Sequence, residues 1–111
     1  MQAQTIEVLA LSIAEMNGAF DPTSEAFAYR NPGKIRVNGN LRNYSTWSGG
    51  LKSLISELSR YSDSDVALSV LRNYGCNTFE KEFVVLDYLT RAFGREISAG
   101  AVLGDLDVEV R

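Results

Sequence analysis

The chain contains no histidine and one cysteine, Cys76. Without histidine there is no Ser-His-Asp triad, no Cys-His pair and no zinc site of the usual composition. One cysteine also excludes an internal disulfide framework. Neither a metal nor a cofactor is expected, and any catalysis would fall to carboxylates, amides and hydroxyls. No apolar run reaches the roughly 20 residues that cross a bilayer. The N-terminus lacks the basic stretch of a signal peptide. A cytoplasmic origin is expected, with any other destination reached by assembly. There is no internal repeat and no low-complexity segment.

What remains is an ordinary globular composition: 111 residues, 45 % hydrophobic, 10 % aromatic and 23 % charged. That length fits one domain, which should bury roughly 65 % of the surface its unfolded chain exposes. The formal charge of −3 argues against general nucleic-acid binding. It is unevenly spread. No acid lies between Glu25 and Glu57, whereas Arg30, Lys34, Arg36, Arg42 and Lys52 do; the rest of the chain carries −8. Solvated surface charge accounts for this, and so does a local basic face for an anionic polymer.

Periodicity predicts a mainly α fold. Ile6, Leu9, Ala10, Ile13 and Met16 recur at helical spacing from Thr5 to Asn17, and Gly18 ends the run. Residues 18–34 read as loop, with turn chemistry at Asp21-Pro22-Thr23-Ser24 and Asn31-Pro32-Gly33. A hairpin is predicted from Ile35 to Tyr44 around Asn38-Gly39. A three-residue loop is preferred, because it pairs Val37 with Leu41 on one face; it also sets Arg36 beside Arg42. Three further helices follow. One is capped by Ser48 and carries Leu51, Leu54, Ile55, Leu58 and Tyr61. The next is capped within Ser62–Ser64 and stopped by Gly75. The last opens at Asn77 or Thr78 and ends at Gly94. Leu106 to Val110 alternates apolar and acidic residues, as a strand does.

The order of several short motifs carries a resemblance. Ile13-Ala14-Glu15-Met16-Asn17-Gly18 is followed by Phe20, Asp21, Pro22 and Ser24, and then by Arg30-Asn31-Pro32-Gly33-Lys34-Ile35. Next come a hairpin, Tyr44-Ser45-Thr46-Trp47-Ser48-Gly49-Gly50, and later Leu71-Arg72-Asn73-Tyr74-Gly75. Over about residues 6 to 98 this series resembles the small lysozyme-like lytic transglycosylase domains of phage virion and bacterial cell-wall proteins. The resemblance implies a lysozyme-like helical domain over residues 1–98, with a short hairpin between its first two helices. Residues 99–111 would then be a tail, extended or docked on a partner; its strand-like part lies on the domain or docks on another protein, and Asp105 to Arg111 is expected to be dispensable for folding of residues 1–98.

In that family a glutamate ends the first helix. It protonates the glycosidic oxygen, then deprotonates the sugar's own hydroxyl to close an anhydro ring. One carboxyl suffices for this cycle, but an amide cannot perform it. Here Asn17 stands at that position, Arg30 replaces the first Asn before Pro-Gly, and Lys34 replaces the Asn after it. Asn17 reads either as a helix cap or as a sugar contact. Glu15, about 200° around the helix from Asn17, and Glu25 in the loop are the weak alternative acids. Asn31, Tyr44, Tyr74, Arg36 and Arg42 are the expected substrate contacts, with Asn31 equally readable as a turn residue, Tyr44 as core or cleft wall and Tyr74 equally as a buried aromatic. Trp47 reads as core or cleft wall, and Cys76 as a small buried hydrophobe.

Three functions stay open at this point. The first is a degenerate domain, virion-associated or structural, that binds peptidoglycan strands or other virion proteins with little cleavage. The second is an active lytic transglycosylase with a displaced carboxylate. The third is a nucleic-acid or partner-binding module using the basic hairpin.

Overall fold

The computed structural model describes residues 1–107. Helix α1, Ala3–Met16, is buried on nearly every side and packs against the last two long helices of the chain. Its end is fixed by sequence. Gly18 takes φ 70°, its N–H bonds the Glu15 carbonyl, and the Ala19 N–H reaches back to the Ala14 carbonyl at 2.9 Å. This is the double hydrogen-bond closure that a left-handed glycine permits. A short helix, α2 (Glu25–Ala28), then interrupts the segment expected to be loop, capped by Ser24 Oγ accepting from the Phe27 N–H. The hairpin therefore lies between the second and third helices.

Strands β1 (Arg36–Val37) and β2 (Asn40–Leu41) pair Arg36 with Leu41 and Val37 with Asn40. The expected three-residue loop is corrected to a two-residue turn, and Arg36 does not face Arg42. Asn38 and Gly39 both have positive φ, 53° and 81°, the conformation that matches the twist of paired strands. Both strands are largely solvent-exposed, so no buried face selects the register and the turn decides it.

Helix α3 (Trp47–Leu58) is capped by Thr46, whose Oγ1 accepts from the Gly49 N–H, two residues earlier than a Ser48 cap implies. Its approach to the Asn31-Pro32-Gly33 loop requires glycine. A Cβ on Gly50 would lie 2.0 Å from the Arg30 carbonyl oxygen, and one on Gly33 would lie 2.8 Å from Leu54 Cδ1. Helix α4 (Ala67–Arg72) starts after Val66, because Ser62–Asp65 form a turn in which the Asp65 carboxylate accepts from the Ser62 N–H. Helix α5 (Phe79–Phe93) is capped by Thr78 and ends at Gly94 in the left-handed region. Leu9, Ile13, Leu54, Leu58, Leu71, Val85 and Leu89 from these helices form one core.

The tail expectation needs the largest correction. Leu103–Asp107 is a 3-10 helix, and Leu103 and Leu106 are fully buried in that same core. The three-residue repeat of a 3-10 turn puts those two leucines on one side. Backbone bonds from Ala67 N to Ala101 O and from Leu103 N to Asp65 O stitch the segment to the start of α4. Asp107 accepts from the Gln2 N–H at 2.7 Å and closes it onto the start of α1. The boundary at residue 98 therefore falls inside the packed unit. The strand reading is wrong for Leu106 and Asp107, and residues 108–111 lie outside the described residues. No helix among the described residues is long and apolar enough to cross a membrane.

Candidate functional site

A cleft of about 460 Å³ opens between the hairpin, α3 and the turn from α4 to α5. Lys34, Ile35 and Arg36 form one wall, Glu57 of α3 another, and Asn73, Tyr74, Gly75, Asn77 and Lys81 the third. Three cations thus face one carboxylate. The basic segment read from the sequence supplies two of the three cations, and Lys81 comes from the first turn of α5.

Asn17 lies directly behind the third wall. Its Nδ2 donates to the carbonyls of Pro32 at 3.0 Å and Tyr74 at 3.2 Å. The amide orientation follows from those two acceptors, since a flipped amide would set oxygen against oxygen. Asn17 Oδ1 is buried without a hydrogen-bond partner. The place a Cβ of Gly75 would occupy is 3.3 Å from that oxygen and 4.0 Å from Lys81 Nζ. Gly75, at φ 96°, therefore stands in close contact between the buried acceptor and the cationic cleft. Lys81 Nζ itself donates to the Gly75 carbonyl at 3.1 Å.

Tyr74 is buried, and its hydroxyl bonds Glu57 Oε1 at 3.3 Å. Burial, with the Tyr61 hydroxyl and the Glu57 charge beside it, pushes the Tyr74 phenol far above its ordinary value, so it stays a neutral donor. Glu57 is the acid that sequence reading missed. It sits at the margin of the apolar stripe of α3, beside Leu54 and Leu58, and that flanking position was the available signal. Cys76 is fully buried, and desolvation raises its thiol pKa, so it is no nucleophile.

Of the residues singled out from the sequence, Arg36 and Tyr74 line the cleft, and Asn17 adjoins it. The other expected contacts do not reach it. Asn31 is fully buried and its amide is spent on structure: Nδ2 donates to the carbonyls of Ile35 and Arg42, and Oδ1 accepts from the Ile35 N–H, each at 2.9 Å. It fastens the two ends of the hairpin, so the turn reading holds and the substrate-contact reading fails. Tyr44 gives its hydroxyl to Ser53, and Arg42 lies over the Tyr44 ring at 5.0 Å, away from the cleft. Glu15 borders a different groove of about 510 Å³, along Phe83, Val84, Asp87, Tyr88 and Arg91 of α5. Glu25 is exposed in the first turn of α2. Neither displaced acid faces the cleft.

Arg30 and Lys34 both have positive φ, 52° and 48°. Asparagine tolerates this region far better than a long side chain does. Arg30 is compensated by bonds to Tyr44 O and Asn43 Oδ1. Lys34 makes no side-chain hydrogen bond among the described residues, yet its strained backbone places an ammonium on the cleft wall. Lys34→Asn should therefore stabilise the fold by about 0.5–1 kcal/mol while weakening the cleft's hold on anions. Paired thermal melts and binding isotherms check this; a lower melting temperature would remove the strain argument.

Comparison with family models, with curated proteins and with solved structures yields no match, so the ordered motifs and this geometry are what a functional reading rests on.

Proposed function

We propose that the chain is a degenerate lysozyme-like domain that seats an anionic glycan strand, of the peptidoglycan type, in this cleft and leaves it largely uncleaved. On the resemblance it belongs to a phage virion or a comparable wall-directed assembly. One observation carries the reading. The end of α1, where the family places its acid, holds an amide whose nitrogen is locked to Pro32 and Tyr74. Its oxygen is buried behind Gly75. It has no proton to deliver to a leaving oxygen. Lys34, Arg36 and Lys81 supply charge for the carboxylates and phosphates that wall polymers carry.

The test is co-sedimentation with purified peptidoglycan sacculi. Arg36→Ala should weaken binding and make it less sensitive to salt. Arg42→Ala should leave binding nearly unchanged, because its guanidinium packs on Tyr44 outside the cleft. Melting temperatures of both should stay close to the parent, since no arginine pair exists across the hairpin to be relieved. Equal losses from the two variants would move the binding face off the cleft.

Glu57 favours a second reading, in which the domain cleaves with a displaced acid. Its carboxylate lines the cleft beside the Tyr74 hydroxyl. This reading requires measurable release of anhydro-muropeptides by the native protein and its loss in Glu57→Gln.

A further inference from the structure

Away from the cleft, Ala19, Phe20, Phe27 and Trp47 enclose a shallow cup of about 190 Å³, lined almost wholly by carbon. Soluble domains rarely leave several aromatics open together without a use. Phe20 is 50 % exposed and Phe27 40 %. The Phe20 and Trp47 rings are 5.3 Å apart and inclined by 38°, so they form an angled corner and not a closed stack. The cup is built into the fold. Trp47 is the first residue of α3, and its indole N–H donates to the Ala19 carbonyl at 3.0 Å. That bond fixes the ring and removes its one polar atom from use. Phe27 rides on α2, which is held by the Ser24 cap, and Ser24 Oγ also donates to the Gly18 carbonyl at 2.6 Å.

We propose that this cup binds a quaternary ammonium group, such as the trimethylammonium of choline. Three features select that chemistry. Aromatic faces carry negative quadrupole potential and attract a cation within about 6 Å of a ring centroid. The lining offers neither donors nor acceptors, so a primary ammonium or guanidinium would lose hydration without replacement, whereas a methylated ammonium has no N–H to satisfy. The chain that carries the cup is acidic: residues 18–29, which include both phenylalanines, hold Asp21 and Glu25 and no base, and the first base after them, Arg30, is bonded to Tyr44 O and Asn43 Oδ1. The Thr23 backbone N–H and hydroxyl both bond the Asp21 carboxylate and hold its pKa below the ordinary value. An acyl chain or another protein's apolar side chain would gain nothing from this charge.

The chain's single tryptophan sits in the cup, so intrinsic fluorescence reads the site directly. Choline chloride should change Trp47 emission saturably. Its neutral isostere, 3,3-dimethylbutan-1-ol, should bind about 2- to 30-fold more weakly, the range that cation–π attraction supplies. Phe20→Leu and Phe27→Leu keep the lining apolar but remove a π face, and each should narrow the preference for choline over the isostere. Equal affinity of the native protein for choline and its isostere would overturn the proposal, and so would the absence of a saturable response to choline. Both outcomes are read on the native chain, whatever the variants' stability. Sedimentation with phosphatidylcholine vesicles separates the sources of the group. Choline-reversible co-sedimentation assigns it to a lipid headgroup, and choline binding without co-sedimentation assigns it to a soluble or polymer-borne choline.

Discussion

Leu103→Ala combined with Leu106→Ala should leave no cooperative unfolding transition near physiological temperature. Both side chains are fully buried in the main core. Truncating a buried leucine costs about 2–5 kcal/mol, and single domains hold only about 5–15 kcal/mol in total. Two such truncations in one 3-10 turn therefore consume most or all of the stability. The loss also spreads, because that turn carries the backbone bonds to Asp65 and Asp63 and the closure of Asp107 on Gln2. Circular dichroism melts of the two single variants and the double variant check this. A double variant melting within a few degrees of the parent would return residues 99–107 to the status of an appendage.

On the proposed function, Asn17→Glu should give the cleft slow glycan-cleaving activity. The exchange forfeits two hydrogen bonds, to Pro32 and Tyr74, each worth about 0.5–1.5 kcal/mol, so the variant should melt lower than the parent while remaining folded. The same surroundings suit an acid catalyst. Burial and two carbonyl oxygens disfavour a carboxylate and favour a protonated carboxyl, which raises the pKa toward the working range of a general acid. The side chain is one methylene longer than asparagine and would extend toward Gly75. A positioned general acid contributes about 10²–10⁴ in rate. Release of anhydro-muropeptides between pH 4 and 8 should rise from baseline by a factor in that range. Asn17→Gln, equally long but without a proton to give, should stay at baseline. Mass spectrometry of the protein must accompany the assay, since deamidation of Asn17-Gly18 creates an aspartate. Activity of Asn17→Gln equal to that of Asn17→Glu would remove Asn17 from the chemistry.

How far the sequence was legible depended on which force decided each element. The long helices were readable because their apolar stripes and terminal glycines act locally. Gly18 and Gly94 end α1 and α5 where the breaker rule puts them. The hairpin was found and its register missed. Pairing Val37 with Leu41 presumes a buried face, but both strands are largely exposed and the Asn38-Gly39 turn set the pairing. The tail was misread because Leu106, Val108 and Val110 alternate as a strand does, while Leu103 and Leu106 share the period of a 3-10 turn. Which period wins depended on a partner surface supplied by α4, some 35 residues earlier in the chain. At the cleft, Arg36 and Tyr74 were singled out from the sequence and line its walls. Glu57 was not, because only tertiary packing brings the margin of α3 to the cleft. Asn31 was drawn into the site by analogy, although its amide holds the hairpin closed.

The central claim is that the cleft between the hairpin, α3 and the α4–α5 turn holds a glycan strand without cutting it. Amide chemical-shift mapping with purified muropeptide oligomers, followed by mass analysis of the same sample, tests this most directly. The account predicts saturable shifts concentrated at Ile35, Arg36, Gly75, Asn77 and Lys81, with the oligomers recovered intact. Shifts confined to other faces, no shifts at all, or conversion of the oligomers to anhydro products by the native protein would contradict it.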